Sequence, residues 1–302
     1  MTKQELTNLV AEILSQMKET QQPMVKASEY RTLVYNTDTE GKEDSGSAED
    51  VTALDLRKLY LTENLAQGEK FRKMKEKTPA RLGSGKAGPR YKTLTMLRFR
   101  ADHAAAQDAV FSQVPEDFAE RNGLTPVVTR CRDKDEDLTR PDLGRCFDEE
   151  NQRKIKAAVP TPPRVLLVVG DGLSSAAITA NAIDCMQTIR DGLKLRGIET
   201  GQSLFVKYCR VGAGDAIGDV TGCELVCVLV GERPGLVTDK SMSAYITYRP
   251  RRGVSESSRT VVSNIHAQGT PAVEAGAYVA ELIEKILQRK VSGVGLHLEE
   301  AR

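Results

Sequence analysis

The pattern of apolar and polar positions changes character about halfway along the chain. Beyond the Pro-rich stretch Val159-Pro160-Thr161-Pro162-Pro163, short apolar runs alternate with segments of helical spacing. Residues 164–170 (RVLLVVG), 204–210 (LFVKYCR) and 224–231 (ELVCVLVG) read as continuous apolar strands. Residues 244–248 and 259–265 read as weaker ones. Between them, 174–194 and 273–289 carry long helical patterns, and 215–220 a short, Gly-broken one. Alternating strands and helices, with strands apolar on both sides, predict a mostly parallel, doubly wound α/β sheet with both faces covered. The domain holding it is expected at 161–302.

The first half reads differently. Leu6, Leu9, Val10, Ile13, Leu14 and Met17 repeat at i, i+3 and i+4, so residues 1–20 are expected to form an amphipathic helix. Residues 36–50 (NTDTEGKEDSGSAED) hold no large apolar side chain, which makes 21–53 an acidic, flexible linker. Residues 54–160 are expected to be a mainly helical domain. One helix should open at Asp55-Leu56-Arg57-Lys58-Leu59-Tyr60-Leu61 and another should cover 93–114, ended by Pro115.

Charge alters this picture. Over 302 residues, 43 Lys and Arg stand against 42 Asp and Glu, a net charge of +1. That balance excludes bulk attraction to nucleic acid or membrane as the default. Yet residues 69–100 hold eleven basic side chains against Glu69 and Glu76, a local +9 that leaves −8 for the rest. Segregation on this scale suggests a surface for an anionic partner. The absence of Trp and the small number of Phe and Tyr speak against a base-stacking platform. The chain shows no apolar run long enough to span a membrane. Met1-Thr2-Lys3-Gln4-Glu5-Leu6 lacks a signal peptide's apolar core. Six cysteines are too sparse for a disulfide scaffold, so a soluble protein of a reducing compartment is expected.

Candidate chemistry lies at the strand ends, where open α/β sheets bind ligands. The three apolar strands end in Gly170-Asp171-Gly172-Leu173-Ser174-Ser175, Cys209-Arg210-Val211-Gly212 and Gly231-Glu232-Arg233-Pro234-Gly235. Each has Gly where a ligand could approach the backbone. The first is not a dinucleotide fingerprint, since Ser175 stands where the third Gly belongs. Gly83-Ser84-Gly85-Lys86 is not a phosphate-binding P-loop, since Ala80 and Ala87 occupy two of its required positions. His266 sits in Asn264-Ile265-His266-Ala267-Gln268-Gly269, one residue from a cobalt-binding Asp-x-His-x-x-Gly motif. Asn264 supplies no carboxylate to orient the ring, so His266 is expected to be a loop histidine held by local hydrogen bonds. Cys223 and Cys227, four apart, are expected to pack in the core from one strand face. No catalytic triad, histidine cluster or metal-ligand spacing is present. A ligand crevice without a catalytic constellation leaves a stand-alone nucleotide- or phosphate-binding α/β protein open as an alternative.

Seven ordered blocks resemble the small (light) subunit family of ethanolamine ammonia-lyase. They are 81–90 (RLGSGKAGPR), 97–103 (LRFRADH), 138–145 (LTRPDLGR), 170–181 (GDGLSSAAITAN), 205–211 (FVKYCRV), 230–236 (VGERPGL) and 263–271 (SNIHAQGTP). The resemblance covers roughly residues 54–295. It implies a subunit of an adenosylcobalamin-dependent lyase that converts ethanolamine to acetaldehyde and ammonia, with no catalytic residue on this chain. It implies a Rossmann-like C-terminal domain covering the cobalamin at the interface with a large, TIM-barrel subunit inside a large hetero-oligomer. The cofactor keeps its own dimethylbenzimidazole on cobalt, so this chain supplies no metal ligand. Carried over by motif, the cofactor contacts are Val211, Glu232 and Val261. Glu232 would accept hydrogen bonds from corrin amides and the valines would offer backbone groups and apolar contact. Relatives can have Cys at the position of Val261, which argues for a main-chain contact there. The basic stretch would face the large subunit. Residues 1–20 would lead the enzyme into the shell or lumen of a cytoplasmic ethanolamine microcompartment.

Overall fold

A computed structural model of the chain describes residues 50–62 and 68–296. The amphipathic pattern of 1–20 and nearly all of the acidic linker 21–53 lie outside the described residues. The chain divides into two compact units, one up to Ala101 and one from Asp102 onward.

In the first unit, helix α1 (Gly68–Glu76) is followed by a minimal hairpin of β1 (Lys86–Ala87) and β2 (Arg90–Tyr91), and α2 (Thr93–Phe111) then begins. The helix expected to open at Asp55 is a turn instead. The Asp55 carboxylate accepts from the Arg57 backbone N–H at 3.0 Å and from its guanidinium at 3.0 Å, a local Asx-type contact that closes the turn. Of the eleven basic residues between 69 and 100, Lys75 is fully buried. Its Nζ donates to the main-chain oxygens of Leu59 and Leu82, the latter at 2.7 Å. The Gly-rich loop therefore turns a carbonyl toward an internal cation. Arg72 lies over the Tyr60 ring, Arg81 over Phe99 and Lys86 over Tyr91, at 5.1, 4.7 and 5.7 Å.

The second unit is built on a six-stranded sheet: β3 (Thr125–Val128), β4 (Val165–Asp171), β5 (Leu204–Lys207), β6 (Leu225–Gly231), β7 (Met242–Tyr248) and β8 (Arg259–Ile265), in the order β3-β5-β4-β6-β7-β8. The first four neighbours run parallel, and β7 and β8 follow antiparallel. All seven residues of β4 and of β6 are buried, as their unbroken apolar runs predict. Two cores result. One face packs on α6 (Ser175–Leu195) and α8 (Ala272–Arg289) through stripes such as Ile178, Ala182, Cys185, Ile189 and Val279, Ile283, Ile286. The other packs on α5 (Glu149–Ala158) and α7 (Ala213–Thr221) around Ile155, Ala216, Val226 and Val228. Short helices α3 (Phe118–Arg121) and α4 (Lys134–Thr139) complete the unit.

Three local expectations are corrected. Strand β3 lies in a region read as helix and loop. Strand β5 stops at Lys207 because Tyr208 takes a left-handed conformation, φ 59°. Cys227 faces the α6–α8 core, but Cys223 precedes β6 and packs on the α5–α7 side, so the two do not share a face. Both are buried free thiols whose pKa values burial pushes up. Among the described residues no helix is long and apolar enough to cross a membrane.

Candidate functional site

The carboxyl ends of β4, β5 and β6 meet in an open crevice of about 460 Å³. Among its lining residues are Arg145, Arg210, Val211, Glu232, Tyr245 and Glu256. Val211 is half-buried in the turn that leads from β5 into α7, and Glu232 is half-buried immediately after β6. The two strand ends therefore bring these residues to one crevice across 21 positions of sequence. Val261 lies outside the crevice lining, on β8, with 42% of its surface exposed. Its cross-strand partner is Tyr245, which pairs in turn with Val228 of β6. Directly opposed residues share a sheet face, so Val228, Tyr245 and Val261 form one row. That row runs from full burial through partial burial to exposure as the cover of α7 ends. Val211, Glu232 and Val261 thus border one continuous surface.

The Glu232 carboxylate is held before any ligand arrives. Ser241 Oγ donates to one oxygen at 2.7 Å, and Ser243 Oγ and the Asn264 N–H donate to the other at 2.5 and 2.9 Å. Asn264, at φ 59°, adopts the left-handed turn that its residue type tolerates. Its N–H comes from just before the end of β8, so Glu232 fastens the ends of β6, β7 and β8 together. Glu256, at the crevice edge, is held below the ordinary carboxylate range chiefly by the Arg259 guanidinium. Tyr245, between the two carboxylates, has its phenol pushed up by burial first and by Glu232 and Glu256 second.

The strand-end glycines other than Gly235 serve protein packing. A Cβ on Gly172 would stand 2.7 Å from the Cys209 carbonyl oxygen, and one on Gly231 would overlap the Ser174 main chain. The start of α6, where a nucleotide binder would seat a phosphate, is closed by the chain itself. Ser174 Oγ accepts from the Ala177 N–H at 3.1 Å and donates to the Asp239 carbonyl at 2.6 Å. Asp171 Oδ1 lies 2.6 Å from Ser175 Oγ, with both residues buried. Burial pushes the Asp171 carboxyl up, against the pull of Ser175, Lys134 and Lys207. The Gly83–Gly85 turn is likewise engaged, through the Gly83 and Gly85 carbonyls, by the N–H groups of Leu61 and Lys92. The filled cap position at the start of α6 counts against a nucleotide phosphate seated there.

His266 behaves as its context predicts: the Gln268 N–H donates to its Nδ1 at 3.3 Å, and its Nε2 packs against Gly269. Among the described residues, no group of three or more His, Cys, Asp or Glu could hold a metal ion. Reading the sequence left Arg145, Tyr245 and Glu256 without a role. Tyr245 was legible in principle, as the residue that strand pairing sets beside Val261. Arg145 reaches the crevice from a turn 65 residues before Arg210, and no local pattern announces that contact.

The architecture is a mostly parallel α/β sheet flanked by helices, with an open crevice at the strand ends. A profile of the ethanolamine ammonia-lyase light chain family (EutC) matches residues 68–297, and the chain belongs to that family. It is 59% identical over 248 residues to the ethanolamine ammonia-lyase small subunit of Clostridioides difficile, covering 82% of this chain and 85% of that one. It is 52% identical over 299 residues to the protein of the same description from Listeria innocua, covering 98% and 100%.

Proposed function

We propose that this chain is the small subunit of an adenosylcobalamin-dependent ethanolamine ammonia-lyase and covers one side of the cofactor where it meets the large, TIM-barrel subunit. The observation that carries this reading is the shared surface of Val211, Glu232 and Val261 around the strand-end crevice. A crevice of about 460 Å³ is large enough for a compact organic ligand. It would take only one edge of a corrin, so a second chain must enclose the remainder. The donor chemistry fits as well. Glu232, rigidly held, keeps lone pairs for corrin amide N–H groups, and the valines present apolar surface.

When bound, the cofactor supplies the radical chemistry of the elimination; this chain contributes shape, orientation and exclusion of water. His266 accepts a hydrogen bond in its own loop through Nδ1, and Asn264 offers no carboxylate to orient the ring toward a metal, which supports a cofactor that would retain its own dimethylbenzimidazole. The basic stretch 69–100 would face the large subunit in a hetero-oligomer, with the unit built on the six-stranded sheet as the Rossmann-like cofactor domain. Residues 1–20, after the linker 21–53, would direct the assembly into a cytoplasmic ethanolamine microcompartment.

Co-expression with a large subunit, followed by cobalamin absorbance of the purified complex and ethanolamine turnover, tests the reading. Bound corrinoid and acetaldehyde release are expected. A stable complex that shows neither would overturn it.

A further inference from the structure

Two loops at the strand ends hold each other through a reciprocal pairing of glycine and arginine. The stem of Arg210 lies against Gly144, where an added Cβ would stand 2.7 Å from its Cγ. The stem of Arg145 lies against Gly212, where an added Cβ would stand 3.1 Å from its Cγ. The Arg210 N–H also donates to the Gly144 carbonyl at 2.9 Å. Gly-Arg at 144–145 and Arg-Val-Gly at 210–212 are thus built around one another, and both arginines emerge into the crevice.

Arg210 is aimed by a buried carboxylate. Asp137, fully out of solvent, lies 3.1 Å from Arg210 Nε through Oδ1 and 3.3 Å from Lys134 Nζ through Oδ2. Arg210 Nη2 donates to the Asp137 main-chain oxygen, and Lys134 Nζ donates to the Gly172 carbonyl at 2.6 Å. One edge of the guanidinium is therefore set against Asp137, by the ion pair at Nε and the Nη2 hydrogen bond, while Nη1 makes no hydrogen bond among the described residues. The Arg145 guanidinium is exposed and makes no hydrogen bond to another described residue. The crevice carboxylates are satisfied mainly elsewhere: Glu232 is turned to its two serines and Asn264, and Glu256 chiefly to Arg259, with a weaker electrostatic pull from Arg145. Two guanidinium groups with spare N–H donors, that of Arg210 aimed by Asp137, suit a phosphoryl oxyanion.

We infer that Arg145 and Arg210 form an anion site in the crevice that binds a phosphodiester, and that Asp137 is its positioning residue. This rests on the cofactor reading above, since the nucleotide-loop phosphodiester is the negatively charged group of a cobalamin. The site lies at β5 and the turn of 143–145, away from the α6 start that the GDGLSS motif suggested.

The test is equilibrium binding of three corrinoids, cyanocobalamin, cobinamide phosphate and dicyanocobinamide, to the complex of the full chain with its large subunit, read by absorbance. Arg145→Gln and Arg210→Lys should weaken cyanocobalamin and cobinamide phosphate about tenfold or more. Dicyanocobinamide, which lacks the phosphate, should be left within about twofold of its wild-type affinity. Arg145→Lys should recover part of the loss. Asp137→Asn should give the same selective pattern as Arg210→Lys, where a purely structural role would weaken all three ligands alike. Unchanged cyanocobalamin affinity in Arg145→Gln, an exposed position where misfolding is not at issue, would overturn the anion site. Equal losses for all three ligands would do the same. A wild-type complex that binds none of the three would overturn the cofactor reading itself, and with it this inference.

Discussion

The Arg259 guanidinium and the Asp215 carboxylate form a double hydrogen bond, Nη1–Oδ1 at 2.8 Å and Nη2–Oδ2 at 2.7 Å, that joins the first residue of β8 to the first turn of α7. Their side chains are only 3% and 9% exposed. Removing Asp215 takes the bidentate partner from a buried guanidinium and leaves it Glu256 and Thr247 only. Asp215→Asn is expected to destabilise the chain by about 3 kcal/mol, whereas the double change Asp215→Leu with Arg259→Met should recover most of that loss. Urea unfolding of the three proteins decides the matter. A single variant as stable as wild type would show that the pair is dispensable.

Glu232 gathers two hydroxyls and one backbone N–H, so its replacement need not collapse the fold. In Glu232→Gln the serine hydroxyls can turn to match the amide, and the Asn264 N–H can still meet its oxygen. Melting should shift by the equivalent of about 1 kcal/mol or less, while cobalamin affinity of the reconstituted complex falls about tenfold. An unchanged dissociation constant would remove Glu232 from the cofactor surface.

Asp171 gives the second unit a signed pH dependence. Its folded pKa lies above the unfolded value of 3.8, chiefly through burial. The folded chain therefore holds the proton more tightly. The associated stability is complete below 3.8 and declines as pH rises through the elevated folded value. Asp171→Asn removes that decline, so its melting temperature relative to wild type should climb as pH rises from 3.8 through the raised folded value. A constant difference across that range would contradict the assignment.

The basic stretch contains two kinds of cation. Lys70, Lys73 and Lys77 are exposed, and Lys75 is buried against main-chain oxygens. Replacing the three exposed lysines with Glu should weaken assembly with the large subunit, most strongly at low salt, without altering the melting of the isolated chain. Lys75→Met should instead destabilise the first unit by about 2 kcal/mol, visible as faster amide exchange there. Salt-independent assembly in the triple variant would detach this surface from the partner.

Deleting residues 1–20 should leave lyase activity intact and release the enzyme from purified microcompartments. Undiminished encapsulation would assign those residues another task.

The sheet was legible wherever side-chain pattern and burial coincide. Strands β4, β6 and β8 and helices α6 and α8 fall within a residue or two of their expected bounds, because buried runs and helical stripes are local signals. Strand β3 was hidden by Pro126, a residue that argues against a central strand. It is accepted here because β3 is the sheet's edge. The end of β5 was overrun because nothing local reveals that Tyr208 turns left-handed. At the crevice, Val211 and Glu232 follow from the rule that strand ends bind ligands. Val261 came only with the family resemblance. Arg145 and Asp137 depend on contacts across about 70 residues, which periodicity does not record.

Past β6, the sheet loses its helical cover on the α7 side, yet β7 and β8 remain stiff. They are paired to one another, backed by α8, pinned by Arg259 to Asp215 and clasped by Glu232 at their ends. This half-roofed sheet is therefore a finished surface before assembly begins. A partner chain or cofactor that settles on it displaces water from a rigid template and spends little of its binding energy ordering the strands beneath. Assembly should then resemble the docking of two solid bodies, with folding of this subunit completed beforehand.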